Sequence, residues 1–409
     1  MPKFISVEEA LEFILSRIPT MGAERTQLGD ALGRRLAEPV EAPWNSPRFD
    51  NSAMDGFALR FDDLDGVPTT LEIAGVSAAG NPSSEVVDKG QAFRISTGAA
   101  LPSGADTVVP RELCDADTLE VTINKAPKRG RGANIRRTGV YLQAGQTALG
   151  EGIRLGGAEL GLLASFGKPV VLTHSRPRVA IISTGDELVE LGEEPKAGQI
   201  VNSNAYMLEG LLRSHGATPR VYPTAPDRRQ DIEATYRRAV DECDLVLSTG
   251  GVSVGDHDHV GRVVDDLSGG MTFWKVRIKP GKPLAFGTAS AGRRPVPLIG
   301  LPGNPGAGFV AFHVFVRPAL AVAQGADAAT APLPRTTAVL QGTARGSRGR
   351  RAYLAGRATP TGDVLSFEPF DHQSSGNPAL FSAANALGIV EEGRKPLKDG
   401  AQLPIHLLE

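Results

Sequence analysis

The sequence predicts a multidomain protein of α/β plus β class: a β-rich module, an α/β domain with a mostly parallel sheet, and a C-terminal β region. Three observations predict it. Short strands and turns alternate through residues 68–146. From Arg178 onward, apolar strand-like runs alternate with helix-length amphipathic stretches, which implies right-handed crossovers and a parallel sheet. After about residue 328 the helical pattern gives way to short strands, as in a small barrel or sandwich.

Taken in order, residues 6–18 predict an amphipathic helix: Ser6 and Glu9 form a capping box, and Leu11, Ile14 and Ile18 fall on one face. A second helix is expected over residues 29–37, before Pro39, Pro43 and Pro47 break the pattern. Residues 47–59 fit neither period; Asn51, Ser52 and Asp55 ahead of Gly56 suggest a tight loop that presents side chains. Strands are expected at LEIAGV, AFRIST, TVVPRE and LEVTIN, with Thr97 heading a Gly-containing loop. Lys125, Lys128, Arg129, Arg131, Arg136 and Arg137 form a basic cluster of the kind that is ordinarily a solvated face. A short helix is expected at 157–165. Strands then follow at 178–183, 219–223, 244–248, 272–278 and 296–300, with helices at 204–214, 228–241, 257–267 and 304–323. The last strands are expected at 336–344, 350–358, 363–369, 386–391 and 401–408.

Composition narrows the function classes. The 409 residues suggest two to four domains. Forty-four Lys plus Arg against 46 Asp plus Glu leave no global field for nucleic acid or membrane, and 5% aromatic residues argue against base stacking. Cys114 and Cys243 lack CxxC spacing, so neither a disulfide framework nor a zinc knuckle is supported. No signal-peptide pattern and no apolar run of about 18 residues is read, which predicts a cytosolic protein.

Residues 244–258, DLVLSTGGVSVGDHD, organise the rest. Leu245, Val246 and Leu247 read as a buried strand, and Gly250 and Gly251 turn the chain so that free backbone N–H groups face a ligand. Asp256 and Asp258 would repel a phosphate there, by roughly 4 kcal/mol per close pair at an effective dielectric of about 20. The stretch therefore predicts phosphate together with a divalent cation, Mg²⁺ with its oxygen ligands. The bland reading of the same stretch is a solvated turn with an Asp cap. Ligands of parallel sheets bind beyond the strands' carboxyl ends, so Ser183, Thr184 and Glu187, the 248–258 loop, and Leu301-Pro302-Gly303-Asn304-Pro305 should share one rim. Lys275, Arg277 and Lys279 are expected on one face of a strand by period two, with Lys282 in the following turn. Cations beside phosphate-type turns fit an anionic substrate; an exposed basic edge strand that deters aggregation would leave those turns unexplained.

FDNSAMDGFAL, STGAALPSGAD, STGDEL, STGGVSVGDHD, WKVRIKPGKP and LPGNP occur in the order found in the molybdopterin molybdenumtransferases. The chain resembles that family, which contains the bacterial molybdenum-insertion enzyme MoeA and the E domain of gephyrin, over nearly its whole length. The resemblance implies four parts: a molybdopterin-binding α/β domain (1–26 and 168–327), a linking domain (27–45 and 143–167), the β-rich module (46–142) and a C-terminal β-barrel (328–409). It implies a homodimer whose site is shared across the interface, an adenylylating protein that supplies substrate and molybdoenzymes that receive product. It also implies Mg²⁺-dependent insertion of molybdate into adenylylated molybdopterin with release of AMP.

By the same resemblance, Ser253, Lys279, Lys282, Pro283, Arg350 and Ser375 would hold molybdate. Gly250, Gly251 and Asn304 would hold the pterin and its terminal phosphate, with Ser183, Thr184, Lys275 and Pro302 as further substrate-binding residues. Glu187, Asp227 and Asp258 would anchor Mg²⁺ or orient water, with Glu187 and Asp258 as the metal ligands. Asp55 and Thr97 would complete the site from across the dimer interface. The chain departs from the family pattern at Val140 and Tyr141, at Gly306 and Ala307 in place of a small hydroxyl, and at Ala352 and Ala355 in place of an acid and an arginine. A divergent paralogue for another oxyanion such as tungstate, and a gephyrin-like scaffold, are the alternatives. A scaffold would have no need of Glu187, Asp258, Lys275 and Lys279. An adenylyltransferase is a third reading, against which the Asp55 motif and the barrel argue.

Overall fold

The computed structural model describes residues 4–251 and 259–408. The chain forms two compact units. One comprises Met1–Glu38, Glu151–Leu160 and Pro169–Glu409; the other comprises Pro39–Gly150 and Gly161–Lys168.

The first unit is built on a six-stranded sheet in the order Thr218–Val221, Arg178–Ser183, Leu245–Thr249, Arg294–Leu301, Pro283–Ala291, Phe273–Lys275. The first three pairings are parallel and the last two antiparallel, so the sheet is mixed at one edge. All five residues of Leu245–Thr249 are buried, which explains the unbroken apolar run at its start. Alternate residues serve opposite faces. Val179, Ile181, Leu245, Leu247, Ile299 and Leu301 pack with the helix Ser203–Ser214, the apolar 305–323 helix and the N-terminal helix. Ala180, Ile182, Val246, Val296 and Leu298 pack with Arg229–Glu242 and His259–Ser268. The N-terminal helix runs Val7–Leu15, with the predicted capping box formed between Ser6 and Glu9. The Pro305–Ala323 helix is long and apolar enough to cross a membrane by length and composition, which amends the sequence expectation; most of it is buried in this core.

At the amino ends of three adjacent strands, Asp244 accepts hydrogen bonds from the Arg178 backbone N–H (2.8 Å), Nε (3.1 Å) and Nη2 (3.0 Å), and from Arg294 Nη1 (2.7 Å). Burial alone would raise the Asp244 pKa, but the two guanidinium groups hold it below the usual carboxylate range. Asp244→Ala is expected to cost about 2 kcal/mol of stability in urea unfolding, because Arg178 is largely exposed and re-solvates readily. An unchanged unfolding midpoint would count against this anchoring role.

A closed barrel completes the unit. Arg351–Thr361, Val364–Pro369, Thr336–Leu340, Gln402–Leu407 and Ala386–Val390 pair in turn, and the last returns to Arg351–Thr361. Ile278–Lys279 joins it in parallel, opposite Arg351 and Ala352.

Five sequence expectations are corrected. Residues 47–59 are not one side-chain-presenting loop: Asn51–Ser52 and Gly56–Leu59 are buried strands, and the turn between them carries Asp55. Residues 29–37 hold no α-helix: a single tight turn, Leu28–Asp30, leads into extended chain whose backbone bonds to 153–155, since Gly29 and Gly33 weaken the helix. The barrel region does contain a helix, Pro378–Ser382, capped by Asn377. Pro283–Ala291 is a strand that its small-residue sequence did not announce. Lys275, Arg277 and Lys279 do not share one strand: the chain leaves the sheet after Lys275 and joins the barrel at Ile278.

The second unit holds a six-stranded sheet, Thr107–Pro110, Gly56–Leu59, Gln91–Ile95, Thr69–Ser77, Glu120–Ile123, Cys114–Ala116, over a core that includes Phe57, Leu59, Leu71 and Ile123. All four predicted strands of the module are present. Within the basic cluster, Arg131 pairs with Asp62 and Asp106 and Arg137 with Asp50, as a solvated face would.

Candidate functional site

The carboxyl ends of three neighbouring parallel strands open into a cavity of about 1420 Å³ in the first unit. Thr184 follows Arg178–Ser183, Gly250 and Gly251 follow Leu245–Thr249, and Pro302, Gly303 and Asn304 follow Arg294–Leu301. The barrel supplies the facing wall through the 341–346 loop, Arg350 and the loop that carries Ser375. The turn at Gly250 and Gly251 requires glycine twice over. Their φ values are +90° and +61°, and a Cβ on Gly250 would lie 2.6 Å from the Thr184 carbonyl oxygen.

Eleven predicted residues converge on this cavity: Thr184, Glu187, Gly250, Gly251, Lys279, Lys282, Pro283, Pro302, Asn304, Arg350 and Ser375. Three others do not. Ser183 is buried behind the rim and donates to Asn202 Oδ1 at 3.2 Å; Asn202 in turn caps the Ser203–Ser214 helix, so Ser183 orients the wall and does not line it. Asp227 is exposed away from the cavity, its backbone N–H donated to Asp186. Lys275 sits over the Trp274 ring, Nζ 4.8 Å from the centroid, and does not line the cavity either. Ser253 and Asp258 lie outside the described residues. In the second unit, Asp55 and Thr97 are brought together: Asp55 Oδ1 accepts from the Thr97 N–H at 2.7 Å and its hydroxyl at 2.9 Å. Those bonds hold the Asp55 carboxyl below its ordinary pKa.

The electrostatics of the cavity favour an anion. Lys279, Lys282, Arg345 and Arg350 line it, and among the described residues none of the four makes an ion pair. Pro305 has no N–H, the Gly306 N–H donates to the Ser375 carbonyl at 2.8 Å, and the Ala307 and Gly308 N–H groups donate to Asn304. The helix start is therefore closed to a phosphate through its backbone. What it offers a ligand is the Asn304 side chain.

Two residues beyond the sequence reading matter here. Asn204 donates through Nδ2 to Thr249 Oγ1 at 2.8 Å and to the Gly303 carbonyl at 2.7 Å, so it ties two rim loops together. Arg345 adds a cation from the barrel loop. Only the polar first turn after the strand-like IVN and the repeated arginines of TARGSRGR hinted at them. Of the departures, Ala307 and Ala352 line the cavity, Ala355 is buried in the barrel, and Val140 and Tyr141 are exposed in the second unit.

For a hard cation, the cavity offers the Glu187 carboxylate and Thr184 Oγ1, which is buried without a hydrogen-bond partner. Oxygen donors of this kind fit Mg²⁺. Among the described residues no group of three or more His, Cys, Asp or Glu side chains is arranged to hold a metal.

Comparison with known proteins adds the following. The profile of the MoeA N-terminal region (domain I and II) matches residues 5–167, that of a "Probable molybdopterin binding domain" residues 180–322, and that of the MoeA C-terminal region (domain IV) residues 337–408. The chain is 36% identical to a molybdopterin molybdenumtransferase of a Nostoc species, over 98% of this chain and 94% of that one. It is 34% identical to molybdopterin molybdenumtransferase 2 of Mycobacterium tuberculosis, over 98% of each. The crystal structure of the molybdopterin biosynthesis moeA protein from Pyrococcus horikoshii superimposes with a TM-score of 0.85 at 28% identity, covering 99% of this chain and 100% of that one.

Proposed function

Since this chain belongs to the molybdopterin molybdenumtransferase family, we propose that it inserts molybdate into adenylylated molybdopterin and releases AMP, as a transferase of molybdenum cofactor biosynthesis. One observation carries the reading: four cations without ion-pair partners among the described residues line a single cavity beyond the strand ends. Positive charge gathered on one cavity wall without carboxylate partners attracts an anion, and charge-assisted hydrogen bonds suit an oxyanion.

In this reading Lys279, Lys282 and Arg350 hold molybdate, with Ser375 donating its hydroxyl. The Gly250–Gly251 turn, Thr184 and the Asn304 side chain orient the pterin phosphate. Asn204 keeps those two turns in register, and oriented donors stabilise charge as the anhydride between pterin phosphate and AMP breaks. Glu187 and the Thr184 hydroxyl would hold Mg²⁺, with Asp258 as the further ligand that the sequence predicts. A bound Mg²⁺ supplies electrostatic neutralisation of the phosphate oxygens. The proposal includes a cytoplasmic homodimer in which Asp55 and Thr97 of the β-rich module complete the cavity of the other protomer, an adenylylating protein as substrate donor and molybdoenzymes as acceptors.

The test is an insertion assay with purified protein, adenylylated molybdopterin, Mg²⁺ and molybdate. AMP release should require molybdate and yield active cofactor. AMP release that ignores the oxyanion would refute the transferase reading.

A further inference from the structure

From the bonding of the Gln373 side chain we infer that Gln373 is a positioning residue for oxyanion binding. It fixes the barrel loop 371–376 so that Ser375 stands at the cavity wall. The inference rests on the proposed role of Ser375 as an oxyanion contact; Gln373 reaches the same cavity wall, but its amide is taken up by the barrel strand.

The strand Val364–Pro369 stops pairing with Arg351–Thr361 at Pro369, opposite Gly356. The next position of the long strand, Ala355, is buried in the barrel; its carbonyl accepts from the Phe370 N–H at 3.1 Å, which leaves its N–H and the carbonyl's second lone pair without backbone partners on that side. Gln373 provides them. Its Oε1 accepts from the Ala355 N–H at 2.9 Å, and its Nε2 donates to the Ala355 carbonyl at 2.9 Å. One side-chain amide thus completes the pair that Phe370 makes only through its own N–H. Nε2 also donates to the Phe370 carbonyl at 2.8 Å, which closes the start of the loop on itself. A carbonyl can only accept, so these bonds fix which end of the amide is nitrogen.

The far side of the loop is held by different groups. The Ser375 carbonyl accepts from the Gly306 N–H at 2.8 Å, and Ser375 Oγ accepts from Asn304 Nδ2 at 3.3 Å. Behind it Phe381 packs against Gly306 so closely that a Cβ there would lie 1.9 Å from the ring. Glycine at position 306 is what lets this segment dock. Between the two anchors, Ser375 has little freedom to leave the cavity wall. Gln373 itself is exposed and belongs to no hydrophobic core, so a role in holding the loop can be separated from a role in holding the fold.

The test is steady-state insertion kinetics with Gln373→Ala and Gln373→Met, molybdate and adenylylated molybdopterin being varied separately. Methionine preserves length but offers neither bond. Both variants should raise KM for molybdate about tenfold, leave KM for the pterin substrate unchanged, hold kcat at saturating molybdate within twofold, and keep the wild-type melting temperature. Gly306→Ala, which pushes on the loop from its other anchor, should give the same selective rise. A wild-type KM for molybdate in Gln373→Ala, full rescue by Met, or equal loss for both substrates with a lowered melting temperature would each overturn the inference. Failure of the wild-type protein to need molybdate at all would instead remove the functional reading beneath it.

Discussion

Lys279→Ala is expected to lower kcat/KM for molybdate by two to three orders of magnitude while leaving the melting temperature at its wild-type value. Losing one preorganised donor to developing or bound anionic charge costs about 10²–10³ in rate where that charge is desolvated. The side chain is exposed, lines the cavity and makes no ion pair among the described residues, so truncation removes no contact on which the fold depends. Its backbone is a different matter: Lys279 pairs with Ala352 of the barrel, which fixes where the ammonium can reach, and alanine preserves that pairing. Lys275 supplies the internal contrast. It lies on the Trp274 ring outside the cavity, and Lys275→Ala should change kcat/KM by less than threefold. Equal losses in the two variants would show that general positive charge, and not this cavity, attracts the substrate. An undiminished Lys279→Ala enzyme would remove the oxyanion assignment.

The contrast between those two lysines also marks how far the sequence could be read. Leu245–Leu247 announced a buried strand because a central parallel strand is apolar on both faces, and topology then placed Thr184, Gly250 and Asn304 on one rim. Period two grouped Lys275 with Lys279 because nothing local reports that the chain changes sheets at Val276. Pro283–Ala291 was missed for a related reason. It lies so close to the His259–Ser268 helix that a Cβ at Gly287 would sit 2.8 Å from Ser268, so packing selects small residues over β-formers. Asn204, Arg345 and Gln373 gain their meaning only from partners 18 or more positions away in sequence or from a cavity wall that two subdomain edges make together. Local pattern carries no such information.

His313 carries the largest expected effect on stability, and pH exposes it. The imidazole is buried in the Pro305–Ala323 helix against Phe309 (4.6 Å between centroids), Phe312 (5.6 Å) and His215 (6.1 Å), with neither nitrogen hydrogen-bonded. Burial, and then the nearby His215, Arg317 and His406, push its pKa down to about 3. A histidine depressed in the folded state is neutral there while the unfolded chain still takes up a proton near pH 6.5. Stability is therefore fully present above about pH 6.5 and falls as pH drops toward 3, by about 3 kcal/mol at pH 4 from this group alone. His215 and His406 are shifted in the same direction and steepen the wild-type slope, but both remain when His313 is replaced. His313→Leu should accordingly equal or exceed wild-type stability at pH 7.5, since two unpaired polar atoms leave the core, and should lose less on acidification. Urea unfolding at pH 7.5, 5.5 and 4.5 reads the difference. Parallel pH profiles for the two proteins would mean that His313 is not the proton acceptor that acid unfolding has to satisfy.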